Sequence, residues 1–527
     1  MPQRECVAKF NRVICNARMD QKELFKPIPV DKLSTFSKEE LIILLRGEQQ
    51  IRQQIEKEVD RLRASNNELE QKSFYIEEQY ITIKNKYFGK SSEREPSEND
   101  RKKHLKKNKK MKKKVQLPSL RYPDAPLIER EVTLDNLPSC KCCGTEMSDS
   151  GMTENSEFLT AVPQQFFVIR QKRHKYRCGK CHGDIVTAPS PPRIKPGSSY
   201  SDEMMLDVAL SKYCDLIPVE RYSSIAGRAG LMDLPPQSLI GTTHNVADYV
   251  EGAYSKVKKE ITIEKVLNAD ETPHRMLEDH GDKSWYLWGF STRRSSYFEI
   301  HDTRSGDVAS EILNKSKCEY LVSDVFSGYA KAVRVSNVYR KENKLPLLKN
   351  VYCNAHARRK FKEAAEKYTD EAQYFIEAYK KIYRLEKIAK ARPPSRVLRV
   401  RRLMTKLFEE MKETAIENVA GYSSKSKIAI AMKYFLKNYE GLTLFIKNKE
   451  LPIDNNSQER QMRSPVIGRK TWYGTHSKRG ARTTAILFSL VESCKLNNVN
   501  PREYFKKLVE DLHKGKEPYT PKDYADL

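Results

Sequence analysis

The sequence has no apolar run near the roughly twenty residues that a membrane-spanning helix needs. Its first residues, MPQRECVAKF, carry charge with no apolar stretch behind it, so they do not read as a secretory signal. The expected location is the cytoplasm. The chain is short of acid: 70 Asp and Glu stand against 96 Lys and Arg, a formal net charge of +26. Solubility does not require such an excess, since acidic side chains serve it at least as well. A polyanionic partner does, and nucleic acid is the usual one. Cysteine is sparse and odd in number, at 11. Cys6, Cys15, Cys214, Cys318, Cys353 and Cys494 are scattered, whereas five lie between Cys140 and Cys181. A chain kept in a reducing compartment does not hold disulfides, so the cluster points to a metal.

From Phe36 to Lys86 proline is absent and glycine occurs only at Gly47. Apolar residues recur every seven positions at Ile55, Leu62, Leu69, Ile76 and Ile83. A weaker seam runs through Val59, Asn66, Ser73, Tyr80 and Tyr87. Residues 36–90 after an N-terminal segment (1–35) therefore predict a coiled coil, with Asn66 setting register in a homodimer or higher oligomer. An amphipathic helix packed on its own domain is the competing reading. Residues 91–116 contain NDRKKHLKKNKKMKKK, which cannot build a core and reads as a disordered basic linker able to grip phosphates.

Residues 117–192 read as short β segments broken by prolines. They carry Cys140-x2-Cys143 in CKCCG and Cys178-x2-Cys181 in CGKCHG. Two such pairs predict a structural zinc ion held by four thiolates, with no open position for chemistry, in a zinc-ribbon-like domain. Cys142 competes with its neighbours but would give uneven gaps; His182 is not expected as a ligand. Residues 193–259 turn helical. PVERYSSIAGRAG reads as a helix ended by Gly230, and PPQSLIGTTHNVADYV opens a second one. The pair has the outline of a helix-turn-helix, as many hairpins that never touch DNA also do.

Residues 260–354 predict a mixed α/β sheet. ITIEKVLNADET reads as a strand, SWYLWGFST and SSYFEIHDT as two more in a meander, and EYLVSDVF and NVYCNAHARRKF as strands leading into helices. From Ala355 to Glu450 the only prolines are Pro393 and Pro394, and the apolar spacing is helical, so 355–450 reads as an all-helical insertion. In 451–495, SQERQM opens a helix and TTAILFSLVESCKLNNV forms a buried one. Residues 496–527 end in a helix capped by Asn500, with Pro501 in its first turn, and a tail. The fold class is multidomain α+β.

Two aspartates, Asp270 and Asp324, sit at the ends of apolar strands, where α/β sheets present side chains to ligands. If those strands are neighbours, the two carboxylates share a site, and a divalent cation relieves their repulsion. Glu459, on a helix returning after the insertion, is the candidate third ligand of a two-metal site for Mg2+ or Mn2+. Glu271 adjoins Asp270 but faces the other side of the strand. Asp302, Asp307 and Asp454 are acids in loop-like contexts. His356, Arg359, Arg460, Arg463, Arg469 and Lys470 are candidate DNA-phosphate contacts, with a core or helix-capping histidine the competing reading of His356. The amides before Glu459 are expected to cap its helix.

These stretches, with FGKSSE, SKYCDLIPVERY, ADETP, NAHARRKF, DNNSQERQMRSPVIGRKTW and SLVESCKLNNVNPREYF in this order, resemble the transposases of the insertion sequence 66 family of bacterial mobile elements. The resemblance covers nearly the whole chain. It implies a ribonuclease-H-like catalytic core with an Asp-Asp-Glu triad, here Asp270, Asp324 and Glu459. The implied partners are double-stranded DNA, both element ends and target, and companion proteins of the same element. Val325 stands where the family often has glycine, and Pro465 lies one place later than usual. The expected function is metal-dependent strand cleavage and strand transfer, with the zinc ribbon and the helical pair on the terminal inverted repeats. The alternative is a zinc-containing DNA-binding protein without catalysis, a regulator or a decayed copy. A ribonuclease-H-like nuclease that cuts without joining is a third reading.

Overall fold

The computed structural model describes residues 37–88, 117–279 and 284–527, except for 124, 133–135, 148–155, 162–163 and 179–184. The basic run of 91–116 lies outside the described residues, as do Cys181 and His182. Two compact units are formed: residues up to Gly89 with His356–Tyr439, and Lys90–Ala355 with Glu440–Leu527. Among the described residues, no helix is long and apolar enough to cross a membrane.

In the first unit, α1 (Lys38–Phe88) runs for 51 residues without a break. Ser37 and Glu40 cap its start reciprocally. Ile55, Leu62, Leu69 and Ile76 are all exposed along it. In the second unit, α2 (Pro118–Arg121) is followed by β1 (Lys175–Arg177) and β2 (Ile185–Thr187), a short antiparallel pair. Next come α3 (Asp202–Tyr213), α4 (Val219–Arg228), α5 (Pro236–Tyr249) and α6 (Glu251–Ile263). Gly230, at φ +100°, follows α4 as its sequence suggests, and Pro236 opens α5.

Residues 261–263, expected in a strand, belong instead to α6. Ala253, Tyr254, Val257 and Ile261 are buried at helical spacing, and that periodicity outweighs the β-branched ITI. The strand β3 (Val266–His274) begins after them, followed by β4 (Trp285–Ser291) and β5 (Ser296–His301). Then α7 (Gly306–Asn314), β6 (Tyr320–Ser323), α8 (Ser327–Glu342) and β7 (Lys349–Tyr352) alternate. The sheet order is β5-β4-β3-β6-β7, antiparallel from β5 to β3 and parallel from β3 to β7.

α9 (Asn354–Ala364) leads to α10 (Thr369–Lys390), α11 (Pro394–Asn418) and α12 (Lys427–Lys437) in the first unit. Pro393 and Pro394 break α10 from α11, with Pro394 in the first turn, where its missing N–H costs nothing. Phe361 stacks on Phe375 at 4.2 Å. Glu386 and Arg401 form a buried bidentate pair at 2.7 and 2.9 Å.

The chain continues through α13 (Tyr439–Lys447), α14 (Asn456–Trp472), α15 (Lys478–Leu496), α16 (Pro501–His513) and α17 (Pro521–Ala525). Asn500 accepts from Arg502 N at α16, as its sequence implies, but α17 rather than a plain tail ends the chain. The core of the second unit joins Leu267, Trp288, Phe290 and Phe298 of the sheet to Ile486, Phe488 and Val491 of α15. α15 also seals the edge strand β5. Ser489 Oγ accepts from Phe298 N at 2.8 Å, and Ser493 Oγ from Ser296 N at 2.9 Å.

Candidate active site

The parallel pairing of β3 with β6 sets Asn268 opposite Val322. Asp270 and Asp324 each lie two residues further on, so they stand at one level on neighbouring chains. Asp324 turns its chain into α8 by accepting from Phe326 N at 3.0 Å. β3 continues past Asp270 in the β4 ladder, where Asp270 pairs with Gly289.

The third acid arrives on α14, whose start is fixed by buried amides. Asn455 Nδ2 donates to Ala269 O at 2.8 Å, one residue before Asp270, and Asn455 N donates to Cys353 Sγ at 3.2 Å. Asn354 Nδ2 donates to Ile453 O at 3.0 Å and to Leu442 O at 2.9 Å. The cap expected from the amides is not what Asn455 does: at the N-cap position its side chain makes no cap hydrogen bond. Its burial among strand ends gives its amide a carbonyl of β3 instead. α14 then lies close over β4, because a Cβ on Gly289 would overlap Gln458 Nε2 and come within 2.7 Å of Met462 Sδ.

Asp324 and Glu459 each lie within electrostatic range of Asp270. The Asp270 carboxyl is pushed up to about 8, first by burial and then by Glu271, Asp324 and Glu459. Without a cation this cluster holds a proton near neutral pH. Its donors are all carboxylate oxygen, the set that suits magnesium or manganese rather than a softer metal. Glu271, the neighbour that adds to the Asp270 shift, has its own partners. Its side chain is 3% exposed and accepts from Arg304 Nη2 at 2.6 Å and from Tyr329 Oη at 2.5 Å. Asp307 is occupied by Ser305 and Lys331, and Asp454 accepts from Asn456 N.

Arg469 of α14 donates from Nη1 to Thr272 Oγ1 at 3.4 Å, two residues along β3 from Asp270. His274, two residues further, is bonded to Thr475 Oγ1 at 2.9 Å. Its pKa falls to about 4 through burial and then the Arg469 charge. Arg460, Arg463 and Lys470 are exposed on α14. His356 and Arg359 lie on α9, in the helical unit.

The first cysteine pair sits in a tight turn flanked by a Ser139–Glu146 bridge. Cys142 N donates to Cys140 Sγ at 3.5 Å, Gly144 N to Cys140 O at 2.9 Å, and Gly144 takes φ +77°. Hydrogen bonding with Thr145 lowers the Cys143 thiol, which favours the thiolate a metal needs. Cys178 follows β1 directly, and Cys181 lies outside the described residues. The turn, its N–H directed at sulfur and the lowered thiol fit a zinc knuckle.

The model of the family described as Transposase IS66 family matches residues 197–483, which hold the sheet, all three acids and the helical insertion. The chain belongs to the IS66 transposase family. The zinc-finger binding domain of transposase IS66 matches residues 138–182, covering both cysteine pairs. Similar proteins from Sinorhizobium fredii (strain NBRC 101917 / NGR234) include three described as uncharacterized. The protein y4qI is 28% identical over 412 residues, 74% of this chain and 72% of its own. The protein y4jD is 25% identical over 387 residues (72% and 75%), and y4hP is 24% identical over 413 (74% and 73%). IS66 membership and the zinc-finger match together support a DNA-processing, DNA-binding protein.

In this IS66 chain, four residues around the acids escaped the sequence reading: Gly289, Asn455, Arg304 and Tyr329. Only Asn455 carried a signal, an amide directly after the apolar-acid pair Ile453–Asp454.

Proposed function

We propose that the protein is an Asp-Asp-Glu transposase that cuts DNA at the ends of its element and joins the freed 3′-hydroxyl to target DNA. The observation that carries this reading is the charge coupling of Asp324 and Glu459 to Asp270, with the two aspartates level on neighbouring chains. Magnesium or manganese held by these carboxylates would supply charge neutralisation and an activated water or hydroxyl. Asp270 and Asp324 are set rigidly by β3 and β6. Glu459 is set by α14, which Asn455 ties to β3. Phosphoryl transfer asks mainly for positioning and charge neutralisation, and a fixed carboxylate set meets that need without a covalent intermediate. Arg460, Arg463, Arg469 and Lys470 would hold strand phosphates beside the acids, and His356 and Arg359 would add contacts from α9.

The four thiolates of Cys140, Cys143, Cys178 and Cys181 would hold one structural zinc, and that domain with α4 and α5 would bind the terminal inverted repeats. α1 would pair two copies through its exposed seam, so that two element ends are held together. The decisive experiment is Glu459→Gln in the full chain, assayed on DNA carrying the element's ends. DNA binding is expected to persist while Mg2+-dependent cutting disappears; cutting that survives the change refutes the mechanism. Joining of a labelled 3′ end into plasmid DNA separates a transposase from a nuclease.

A further inference from the structure

Beside the acidic cluster, the second unit contains a cavity of about 660 Å³ that the mechanism above does not use. That size lies in the range that takes a small ligand or a nucleotide-sized segment. Its walls come from the starts of α7 and α8, and include Arg304, Ser305, Phe326, Ser327, Lys331 and Arg334. The two helix starts meet closely at glycine: a Cβ on Gly306 would overlap the carbonyl oxygen of Gly328.

The charge of the lining is predominantly positive, and the counter-charges can be named. Arg304 gives Nε and Nη2 to Glu271, and no partner for its Nη1 is found among the described residues. Lys331 is paired with Asp307 at 3.0 Å, on an exposed rim. Arg334 is exposed and meets no acid among the described residues. Arg304 also lies 4.1 Å over the Phe326 ring, so a cation and an aromatic face share one wall. Ser327, Ala330, Lys331 and Arg334 are all exposed, which leaves the cavity open along its length rather than closed around a small molecule. Phe326 donates its N–H to Asp324, so this wall is two residues from the acidic cluster.

We infer that this cavity is a DNA-strand subsite, holding a backbone phosphate between Arg304, Lys331 and Arg334 with the adjoining base against Phe326. The inference rests on the transposase reading for its ligand, and it adds a site outside the acidic cluster. Arg304 is the positioning element: Glu271, itself held by Tyr329, fixes its plane and leaves Nη1 for an oxyanion. Stacking on an aromatic ring with cations beside it is the general way a single strand is held without sequence preference.

The test uses the full chain carrying Glu459→Gln, so that bound DNA is not cut, and a single-stranded oligonucleotide containing 5-iododeoxyuridine. After irradiation, cross-linked peptides are mapped by mass spectrometry. A cross-link in the peptide containing Phe326 is expected. Lys331→Glu with Arg334→Glu should lower its yield about tenfold, since two phosphate contacts are reversed, while cross-links elsewhere persist. Both positions are exposed, so folding should survive, and a circular dichroism spectrum matching the parent checks it. No cross-link at Phe326, or one that the double reversal leaves unchanged, overturns the subsite. Because the readout is binding, it stands apart from the cutting assay: loss of the catalytic reading alone would leave this cross-link in place.

Discussion

Asp270 pairs across the β3–β4 ladder with Gly289, and the side chain that Gly289 lacks is the space that α14 occupies. The residue opposite Asp270 is the smallest one, and that leaves room for Gln458 and Met462 of α14 over β4. A Gly289→Ala chain should lose Mg2+-dependent cutting while keeping DNA binding. The overpacking should also cost about 1–3 kcal/mol of stability. Thermal unfolding beside a cutting assay reads both, and unchanged cutting would show that α14 does not need this clearance.

The same acid predicts a pH signature. Asp270 binds its proton more tightly in the folded chain, where its pKa is about 8, than in the unfolded one, at 3.8. Between those values the folded state carries the extra proton, so cation-free stability should fall as pH rises through that window. Mg2+ removes the repulsion and should raise the melting temperature more at pH 8 than at pH 5. Asp270→Asn should flatten both trends. Melting curves at several pH values, with and without Mg2+, decide it; a Mg2+ effect equal at both pH values argues against the site.

Asn455 holds the start of α14 to the backbone of β3. Asn455→Ala leaves the buried Ala269 carbonyl without that donor, at a cost of about 1–3 kcal/mol. Cutting should fall by more than DNA binding does, because the amide positions Glu459 and touches no DNA. Equal losses in both would mean general unfolding rather than mispositioning.

Metal analysis of the purified chain should find zinc bound to the cysteine pairs. Cys143→Ser and Cys178→Ser should each lose it and weaken DNA binding, while Cys142→Ser should keep it. Zinc retained after Cys143→Ser would remove that residue from the ligand set.

On α1, Leu62 and Leu69 are about as exposed as surface residues, at 61% and 60%. Changing both to lysine should shift the chain to a smaller species in sedimentation, if the seam pairs two copies. An unchanged sedimentation coefficient would place self-association elsewhere.

Much of the sheet was legible. Aromatic and β-branched runs marked β4 and β5, and Asp270 and Asp324 stood out as acids directly after apolar runs; only Asp324 follows the end of its strand, since β3 continues past Asp270 to His274. The boundary before β3 was not legible, because ITI has strand propensity and only the spacing of Ala253, Val257 and Ile261 reveals the helix. The amides before Glu459 read together as caps because local rules assign amides to helix starts, whereas the bond that Asn455 makes is to a strand remote in sequence. Arg304 and Tyr329 carry no local sign at all: their meeting with Glu271 exists only once β3, α7 and α8 are packed.

The serines that α15 presents to β5 have a consequence for assembly. An exposed sheet edge invites another chain to add a strand. Here the outward amides of Ser296 and Phe298 already have hydroxyl acceptors, and Phe298 O accepts from Tyr254 Oη. These backbone groups are therefore not available to a strand from a second chain. A second copy seeking to extend the sheet would have to displace α15 from Ser296 and Phe298, so the border of the sheet that carries the acids is closed by the chain's own helix.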